Sequence, residues 1–504
     1  MGSSLIRGRY LLCRATGRDA VEMFEDAALF QREGEIVEIG PYETLKARHP
    51  DVPEVGTRDH IVMPGLVNAH HHVGVTHPLA GCMDGPLELW LSEVWARRDV
   101  DPYLDTLWGA IQLLRSGVTT VMHNVVRWIV PAGDALLGVS DRILLGYREA
   151  GMRVAYSIGM KEQNLIAYGD DAAFLRGLPA TLGSELARRV GETMSGDGYL
   201  ALFEELYRRY GHSGGDRVRL LLSPSNVQWA SDELFQSIKA LAARYGAGIH
   251  MHLAETVYQK AYAERSFGKS AVAHLSELGV LGPELSCAHG IWLDEEDLER
   301  LADAGTVICH NPSSNLRLQS GVAPVQRMLE RNVTVALGAD SSGINDDQEL
   351  LQEVRLASAL HRGVGHDAPR LTPADLLGMA TASGAQACRL GGRVGTLEVG
   401  KRADAVLVNL DRLTEGLGAS EDAPVPELLF QRGRDRHIDA VLVDGEVVFA
   451  EGRPTRFDAT QVVAELRQRF SKPLAPHEQE RRALARALRP YVRAFYREAN
   501  YTLH

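Results

Sequence analysis

Apolar runs rich in β-branched residues alternate with amphipathic helical patterns through most of the chain. Each run has the length of a strand buried on both faces, and intervening segments such as 231–245 and 294–304 have helical periodicity. The runs are 61–69, 117–123, 153–159, 217–223, 247–253, 285–290, 305–310 and 333–340. Eight buried strands that alternate with helices predict an α/β fold built on a (β/α)8 TIM-like barrel.

Both ends of the chain show instead the apolar and polar alternation of half-exposed strands. The pattern covers 5–13 and 27–40 near the N-terminus, and 394–410 and 437–454 near the C-terminus. We expect the two ends to share one discontinuous β-sandwich domain. The predicted parts of the chain are the sandwich at 1–60 and 394–458, the barrel at 61–393 and a helical extension at 459–504.

The predicted C-terminal extension carries an apolar stripe at helical spacing, formed by Leu484, Leu488, Val492 and Phe495. The other face is expected to carry Arg482, Arg486, Arg489, Arg493 and Arg497. A basic amphipathic helix can bind a membrane or a partner. We favour packing on the protein itself or on a second subunit, with a bend at Pro490.

Charge and composition restrict the partners. The chain has 504 residues, and its 54 basic and 66 acidic side chains give a formal net charge of −12. This balance argues against nucleic acid or an anionic membrane as a partner, and no stretch of about 18 apolar residues occurs. The first residues lack an apolar signal core. We expect a cytoplasmic protein that binds a small molecule, no nucleic acid and no membrane, and forms a homo-oligomer, a dimer or a tetramer.

The five cysteines are scattered without C-x-x-C spacing. An odd number in so long a chain predicts reduced, buried thiols rather than a disulfide framework. They are Cys13, Cys82, Cys287, Cys309 and Cys388.

Ionisable residues stand where six of the predicted barrel strands end. In chain order they are His70 and His72, His123, His252 followed by Glu255, His289, His310 and Asp340. The active site of such a barrel lies at the C-terminal ends of its strands. Random placement would scatter histidines over helices and loops as well. The coincidence therefore predicts a shared metal and catalytic site.

His70 and His72 are two residues apart on a strand, so both side chains point to the same side while His71 points away. The H-x-H pattern alone is a weak signal, and it gains weight from His252 and Asp340. Three imidazoles and one carboxylate with an open position suit one zinc ion, or another borderline divalent ion such as ferrous iron. Such an ion lowers the pKa of a bound water toward neutrality. We expect the loss of His71 to cost little activity.

Catalytic roles are expected for three of these residues. Glu255 would stand on the loop that leaves the fifth strand, where a carboxyl can carry a proton from water to a substrate nitrogen. Asp340 can also accept the water's proton, and His289 would orient and polarise the attacked carbon. The alternative for Glu255 is the solvated glutamate common at helix starts.

Four residues are candidates for substrate binding, each with a structural alternative. His310 and Asn311 lie in "HNPSSNLRL" and either contact the substrate or support the loop. Trp90, like Trp229, either stacks on a planar substrate or anchors packing. His123 is a substrate contact, a metal ligand or a hydrogen-bonded structural histidine at the barrel rim.

Several motifs together resemble one family. They are "MPGLVNAHHH", "HMHLAET", "CAHGIWLD", "HNPSSNLRL" and "LGAD", in this order. The chain resembles, over about 27–455, the amidohydrolase superfamily and its branch of S-adenosylhomocysteine and methylthioadenosine deaminases, guanine deaminase and triazine hydrolases. The resemblance implies a mononuclear zinc or ferrous site. The family's ligand positions match His70, His72, His252 and Asp340, and its catalytic positions match Glu255 and His289.

Two departures from the family pattern bear on the metal count and the substrate. Binuclear members carry a carboxylated lysine after the fourth strand, where this chain reads "SPSN"; one metal is therefore expected, with Lys161 and Glu162 after the third strand as the reservation. The Pro-His-(Ala/Ser)-Pro run of purine-type deaminases is also replaced there, by "SPSNVQW", which weakens a nucleoside substrate. The segment 159–179 is expected to shape the pocket from above.

The favoured function is that of a metal-dependent amidohydrolase, a deaminase that releases ammonia from a planar N-heterocycle. Hydrolysis of an amide, urea or aryl-halide bond at the same site is the alternative, because the ion and the carboxylates serve both chemistries. A non-catalytic scaffold is the third interpretation.

Overall fold

The computed structural model describes residues 2–127, 133–211, 216–341, 343–420 and 422–498. The N-terminal part forms β1 (Ser3–Ala15), β2 (Val21–Arg32), β3 (Glu35–Pro41), β4 (Glu54–Val55) and β5 (His60–Pro64). The barrel comes next with β6 (Leu66–His71), β7 (Val118–Val125), β8 (Arg153–Ile158), β9 (Val218–Leu222), β10 (Gly248–Leu253), β11 (Leu285–His289), β12 (Val307–His310) and β13 (Thr334–Leu337). The last strands are β14 (Ala405–Asn409), β15 (Ile438–Val443), β16 (Glu446–Ala450) and β17 (Arg453–Pro454).

The eight strands β6 to β13 lie side by side in chain order, and every neighbouring pair is parallel. The ends of this sheet meet where the backbone N–H of Asp340 donates to the carbonyl of His70 at 2.8 Å. A parallel bridge joins Asp340 to His71 at the same point. The predicted (β/α)8 barrel is confirmed, and its closure brings the first histidines beside Asp340.

The two chain ends share one sheet, as the alternating pattern predicted. Its strands run in the order β17-β16-β15-β14-β5-β1-β2-β3, and β4 pairs with β1. The sheet folds over so that the N–H of Ile36 on β3 reaches the carbonyl of Lys401 at 2.8 Å. Between the two layers lies a buried apolar cluster that includes Ile6, Val62 and Leu442. This is the discontinuous β-sandwich domain.

The run 61–69, predicted as one barrel strand, is two strands in different sheets. β5 pairs with β1 and β14 in the sandwich, whereas β6 opens the barrel. The chain changes sheet at Gly65, whose N–H donates to the carbonyl of Asp404 at 2.9 Å, and a side chain there would collide with Thr119. Both strands are buried, so hydrophobicity alone gives no sign of the break. The division of the chain at 60, 393 and 458 otherwise stays a prediction.

The helices surround the barrel or extend from its loops. Before the barrel and along it come α1 (Tyr42–Arg48), α2 (Leu87–Trp95), α3 (Pro102–Arg115), α4 (Gly133–Ala150), α5 (Asp171–Arg176), α6 (Ala180–Val190), α7 (Gly196–Tyr210), α8 (Asp232–Tyr245), α9 (Val257–Phe267), α10 (Ala271–Glu277), α11 (Glu295–Ala304), α12 (Pro312–Arg317) and α13 (Val325–Glu330). After it come α14 (Leu350–Leu360), α15 (Pro373–Ala380), α16 (Ala382–Ala387), α17 (Leu410–Leu413), α18 (Val425–Arg432), a short 3-10 helix (Asp435–His437), α19 (Ala459–Ser471) and α20 (Pro476–Glu498). Local sequence fixes many of their ends: α11 begins at a capping box of Asp294 and Asp297 and ends at Gly305 in the left-handed region.

A buried ion pair joins the barrel to the sandwich. Arg153 at the start of β8 is inaccessible to solvent and donates to both carboxylate oxygens of Asp404, at 2.7 and 3.0 Å. It also contacts the carboxylate of Asp444, in the turn between β15 and β16. The bidentate geometry satisfies charges that would otherwise be costly to bury. The two domains are therefore held together by directed bonds as well as by apolar packing.

The C-terminal helix α20 packs on its own chain. Leu488 and Val492 are buried in a cluster with Tyr168 and Trp229, next to the barrel mouth. Arg489, predicted on the solvent side, pairs with Glu93 of α2 at 3.3 Å. The helix continues through Pro490, and residues 499–504 of the predicted extension lie outside the described part of the chain.

Two further expectations can be compared with the structure. All five cysteines are free and buried, as expected. Within the described ranges, no helix combines the length and apolar character needed to cross a bilayer.

Candidate metal and catalytic site

A cavity of about 640 Å³ opens at the C-terminal ends of the barrel strands. Its floor carries most of the ionisable residues singled out in the sequence, namely His72, His252, Glu255, His289 and Asp340. Aromatic walls are contributed by Trp90, Trp95 and Trp229. The cavity thus combines apolar faces with a few convergent polar groups, as small-molecule sites do.

His72 and His252 face each other across the floor with their Nε2 atoms 3.3 Å apart. Behind each ring, Nδ1 lies against a main-chain carbonyl: that of Asn124 at 2.6 Å for His72 and that of Ser225 at 3.2 Å for His252. A carbonyl accepts only, so each Nδ1 carries the proton and each Nε2 keeps its lone pair. Two lone pairs that face each other have no hydrogen between them. The geometry fits a shared cation.

His70 lies beside this pair and is completely buried. Its Nδ1 is 2.8 Å from Nε2 of His250, and Nδ1 of His250 is 2.8 Å from the Ser286 hydroxyl. Within the described part of the chain, no hydrogen-bond partner reaches Nε2 of His70, which is 3.9 Å from Oδ1 of Asp340. Burial lowers the pKa of His70 well below its usual value, and His72 lowers it further. A neutral imidazole with an unpartnered buried nitrogen is the form that binds a metal.

Asp340 supplies the carboxylate next to these rings. Its Oδ2 accepts a hydrogen bond from the hydroxyl of Ser314 at 2.6 Å, and Oδ1 is 3.4 Å from Nε2 of His72. Burial alone would raise its pKa, but His72, His289 and the serine hydroxyls hold the pKa below its ordinary value. The residue therefore stays ionised. Its backbone has φ +55°, a left-handed conformation that non-glycine residues adopt mainly where the surrounding structure imposes it.

Glu255 stands between the end of β10 and the start of α9 and faces the cavity from a buried position. Its Oε2 is 3.4 Å from the amide of Gln259, and its Oε1 is 3.7 Å from Nε2 of His289. Burial, with a smaller effect from the nearby carboxylate of Asp340, raises the pKa of Glu255 to about 8. A carboxyl whose pKa lies near neutrality can both take up and give a proton.

His289, at the end of β11, is held by the loop after β12. Its Nδ1 is 2.8 Å from Oδ1 of Asn315, and its backbone has φ +76°. Burial lowers its pKa, so the ring is neutral near pH 7. The ring is thereby fixed with Nε2 toward Glu255 and the cavity.

Two overlapping groups among the described residues have the spacing of a metal site. They are His70, His72 and His252, and His70, His289 and Asp340, each with ligand atoms within 4.8 Å of one another. The two groups share His70 and meet at one point of the cavity floor. The donor chemistry, the buried unpartnered Nε2 of His70 and the facing lone pairs all fit a single borderline divalent cation.

Of the four residues predicted to contact the substrate, two line the cavity and two do not. Trp90 and His123 line the cavity, and His123 is also held by the Tyr147 hydroxyl at 2.8 Å. His310 and Asn311 are not among the cavity-lining residues and are completely buried. The two residues therefore occupy supporting positions rather than the predicted substrate contacts.

Their partners explain the supporting positions. Nε2 of His310 is 3.1 Å from Nε2 of His361, which follows the last residue of α14. The Asn311 amide is 3.4 Å from Nδ1 of His289. His71 points away from the cavity, as expected, but it contacts a residue of the site. It is buried, and its Nδ1 contacts the carbonyl of Asp340 at 3.2 Å.

Several residues of the site were missed from the sequence. His250 supports His70, and Ser314 and Asn315 support Asp340 and His289. A signal for His250 was present, because His250 and His252 repeat the H-x-H spacing of His70 and His72. The serine and the asparagine stand in the "HNPSSNLRL" motif, but only their contacts show which of its polar residues reach the site.

The sequence model of the amidohydrolase family matches residues 61–448 of the chain. The chain belongs to the amidohydrolase family. This amidohydrolase is accordingly a metal-dependent hydrolase that acts on carbon–nitrogen bonds other than peptide bonds.

The relatives of this amidohydrolase include proteins named as deaminases. It is 33% identical over 489 residues to an 8-oxoguanine deaminase of Pseudomonas aeruginosa, covering 94% of this chain and 100% of the relative. It is 30% identical over 440 residues to a 5-methylthioadenosine/S-adenosylhomocysteine deaminase of Moorella thermoacetica, covering 86% and 92%. A crystal structure of an adenosine deaminase from Xanthomonas campestris with bound zinc matches with a TM-score of 0.77 and 26% identity, covering 93% and 98%. The amidohydrolase is thus a relative of deaminases along nearly its whole length.

Proposed function

We propose that this protein is a zinc-dependent deaminase that hydrolyses the exocyclic C–N bond of an aminated planar N-heterocycle and releases ammonia. The observation that carries the proposal is Glu255, a buried carboxyl with a pKa raised to about 8 that opens into the cavity next to the facing histidines. An amine leaves as ammonia only after it has gained a proton, and Glu255 can deliver that proton.

We assign the metal to four residues: His70, His72 and His252 through Nε2, and Asp340 through its carboxylate. When bound, a divalent ion supplies Lewis-acid activation of water at neutral pH. The main-chain carbonyls behind His72 and His252 orient the two rings, and His250 orients His70. Such supporting bonds keep each ring in the tautomer that presents its lone pair.

The remaining steps belong to side chains of the cavity floor. Asp340, which stays ionised, accepts a proton from the attacking water. Glu255 gives its proton to the heterocycle nitrogen, then takes up the hydroxyl proton of the tetrahedral intermediate and passes it to the leaving amine. The proton held by Asp340 afterwards returns to Glu255, which restores both carboxyl groups. His289, held by Asn315, orients the attacked carbon. The tetrahedral intermediate collapses with loss of ammonia.

The substrate class is inferred from the cavity walls and from the relatives. Trp90 and Trp229 offer aromatic faces for a planar ring. The related deaminases act, by their names, on purine compounds. We further propose that the enzyme works on a free small molecule in the cytoplasm, in agreement with its free buried thiols, and as a homo-oligomer.

Ammonia release by the zinc-loaded protein tests the proposal. The panel contains aminated purines, pyrimidines, triazines and pterins on one side, and ureas, lactams and chlorinated triazines on the other. The proposal predicts ammonia, one equivalent per substrate consumed, from at least one aminated ring. Turnover confined to ureas, lactams or aryl halides would assign the site to the alternative hydrolysis, and a purified protein that holds no metal and turns over nothing would revive the scaffold interpretation.

A further inference from the structure

Lys161 comes after β8, the third strand of the barrel, at the start of the segment 159–179 that the family resemblance does not explain. Backbone bonds fix its position on both sides. The N–H of Met160 donates to the carbonyl of Ser223 at 2.8 Å, and the N–H of Glu162 donates to the carbonyl of Trp229 at 2.9 Å. The segment after β9 therefore holds Lys161 in place.

Two side chains near Lys161 strengthen the same attachment. The Glu162 carboxylate accepts from the N–H and the hydroxyl of Ser231, at 3.0 and 2.6 Å. The Asn164 amide donates to the carbonyl of Gln228 at 2.7 Å. Lys161 is thus presented by a rigid segment and not by a loose loop.

The side chain of Lys161 points into the cavity. It is 1% exposed, lines the cavity wall together with Glu255, and places its Nζ 3.6 Å from the centre of the Trp229 ring. Among the described residues, no hydrogen-bond acceptor and no carboxylate within ion-pair distance is found for this ammonium. The contact that the ammonium makes is with the indole face of Trp229.

An ammonium on a cavity wall keeps water only on its open side, and a bound ring that covers this side removes that water. Binding is then unfavourable unless the ring offers an acceptor to the N–H donors. The indole face offsets part of this cost through a cation–π contact but occupies only one side of the ammonium. Burial lowers the pKa of Lys161 to about 7, against a smaller opposing effect of Glu255. The N–H donors that face the cavity therefore have no oxygen acceptor in the described part of the protein.

We propose that Lys161 determines substrate specificity by donating a hydrogen bond to an oxygen substituent, a carbonyl or its ionised form, on the heterocycle that occupies the cavity. This proposal rests on the proposed function, because Lys161 would distinguish among the aminated heterocycles that the enzyme is proposed to deaminate. A ring with a carbonyl opposite Nζ supplies the missing acceptor. The same ring without that oxygen leaves a buried donor unpaired, which is the situation in which polar sites discriminate most strongly.

Binding of matched ring pairs tests the role without turnover. The zinc-loaded Glu255→Gln protein is titrated calorimetrically with guanine and 2-aminopurine, isoguanine and adenine, and isocytosine and 2-aminopyrimidine. Each pair differs by the oxygen substituent. We expect the oxygenated member of at least one pair to bind about 10-fold to 100-fold more tightly. In the double variant with Lys161→Met this preference disappears, and in the one with Lys161→Gln, which keeps a donor, part of it returns.

Lys260→Met on the same Glu255→Gln background is the matched control. Lys260 lies on α9 outside the cavity lining, its side chain is 38% exposed, and it pairs with Glu264 at 3.9 Å, so its loss should leave every ratio unchanged. A purely structural role of Lys161 would weaken both members of each pair equally. The proposal is overturned if the parent protein prefers the oxygenated member of no pair, or if Lys161→Met keeps the preference. Binding selectivity without any ammonia release from the wild-type protein would instead refute the proposed function alone.

Discussion

The Nε2 atoms of His72 and His252 lie 3.3 Å apart although the two residues are separated by 180 positions in the sequence. Carbonyls behind both rings leave these atoms without protons between them. In the absence of a cation the two lone pairs repel. The close approach of the two nitrogens explains why a cation would stabilise the site. It also explains why that cation would lie on the floor of the cavity beside Glu255.

Replacing His252 with alanine should remove the metal. The variant loses one of the two facing nitrogens, so we expect it to bind zinc at far below one equivalent per chain, whereas the wild type binds one. Metal analysis by mass spectrometry after dialysis measures this. His477→Ala, at an exposed site on α20, should retain a full equivalent. An undiminished zinc content in His252→Ala would contradict the ligand assignment.

The structure gives His71 a larger effect than the sequence suggested. His71→Ala removes the contact to the Asp340 carbonyl and leaves that buried acceptor without its partner. We expect the free energy of unfolding to fall by about 1–3 kcal/mol. Zinc affinity should fall by about 10-fold to 100-fold, as for other residues that orient a ligand. Denaturant titration and competition with a chelator measure the two effects; wild-type values for both would restore the view of His71 as a spacer.

The alternation of side chains along a strand explains how much of the arrangement around His71 the sequence predicts. Alternation along a strand gives the direction in which His70, His71 and His72 point. It does not say what occupies the space beyond. Barrel closure places the Asp340 backbone there, and that contact joins residues 269 positions apart. For His310 the sequence did not show whether the side chain points into the barrel mouth or away from it. No second histidine two residues away on the strand indicates which face is used.

The barrel itself was predictable because its strands are almost entirely buried and their sequences are mainly apolar. The break at Gly65 was not, because β5 and β6 are equally buried while belonging to different sheets. Similarly, Arg153 has the sequence context of an ordinary charged residue at a strand start. Its burial depends on Asp404 and Asp444, which are far away in the sequence and contact Arg153 only in the folded protein.

Arg153→Met should destabilise the protein by about 3–5 kcal/mol, because it leaves the buried carboxylate of Asp404 without its partner. Urea denaturation gives the free energy of unfolding. Arg217→Met is the matched control: Arg217 binds Asp444 at 2.8 Å but is partly exposed, so its loss should cost about 1 kcal/mol or less. Equal effects of the two substitutions would show that the bidentate buried pair does not hold the domains together.

The metal-free protein should become less stable in mild acid. Burial lowers the pKa of His71 to about 4 and that of His250 to about 3, whereas both titrate near 6.5 when unfolded. Below about 6.5 the unfolded chain therefore takes up protons that the folded chain does not, so stability is full above that pH and is lost as the pH falls toward 4. For His71 alone this amounts to roughly 3 kcal/mol.

Urea titrations of the chelated protein at several pH values between about 7.5 and 4.5 check this acid sensitivity. His71→Asn should flatten part of the pH dependence, because the residue that resists protonation is gone. A free energy of unfolding that stays constant over this range would show that the histidines are not held neutral by burial.

The most direct test of the proposed mechanism is ammonia release by Glu255→Gln, measured together with its zinc content. We predict a full equivalent of zinc and a rate lower by at least about 100-fold, because the amide cannot carry the proton to the leaving nitrogen. Glu264→Gln, which changes an exposed glutamate on α9, the helix that follows Glu255, should retain the wild-type rate. Undiminished ammonia release by zinc-loaded Glu255→Gln would contradict the proposed role of Glu255 and, with it, the mechanism.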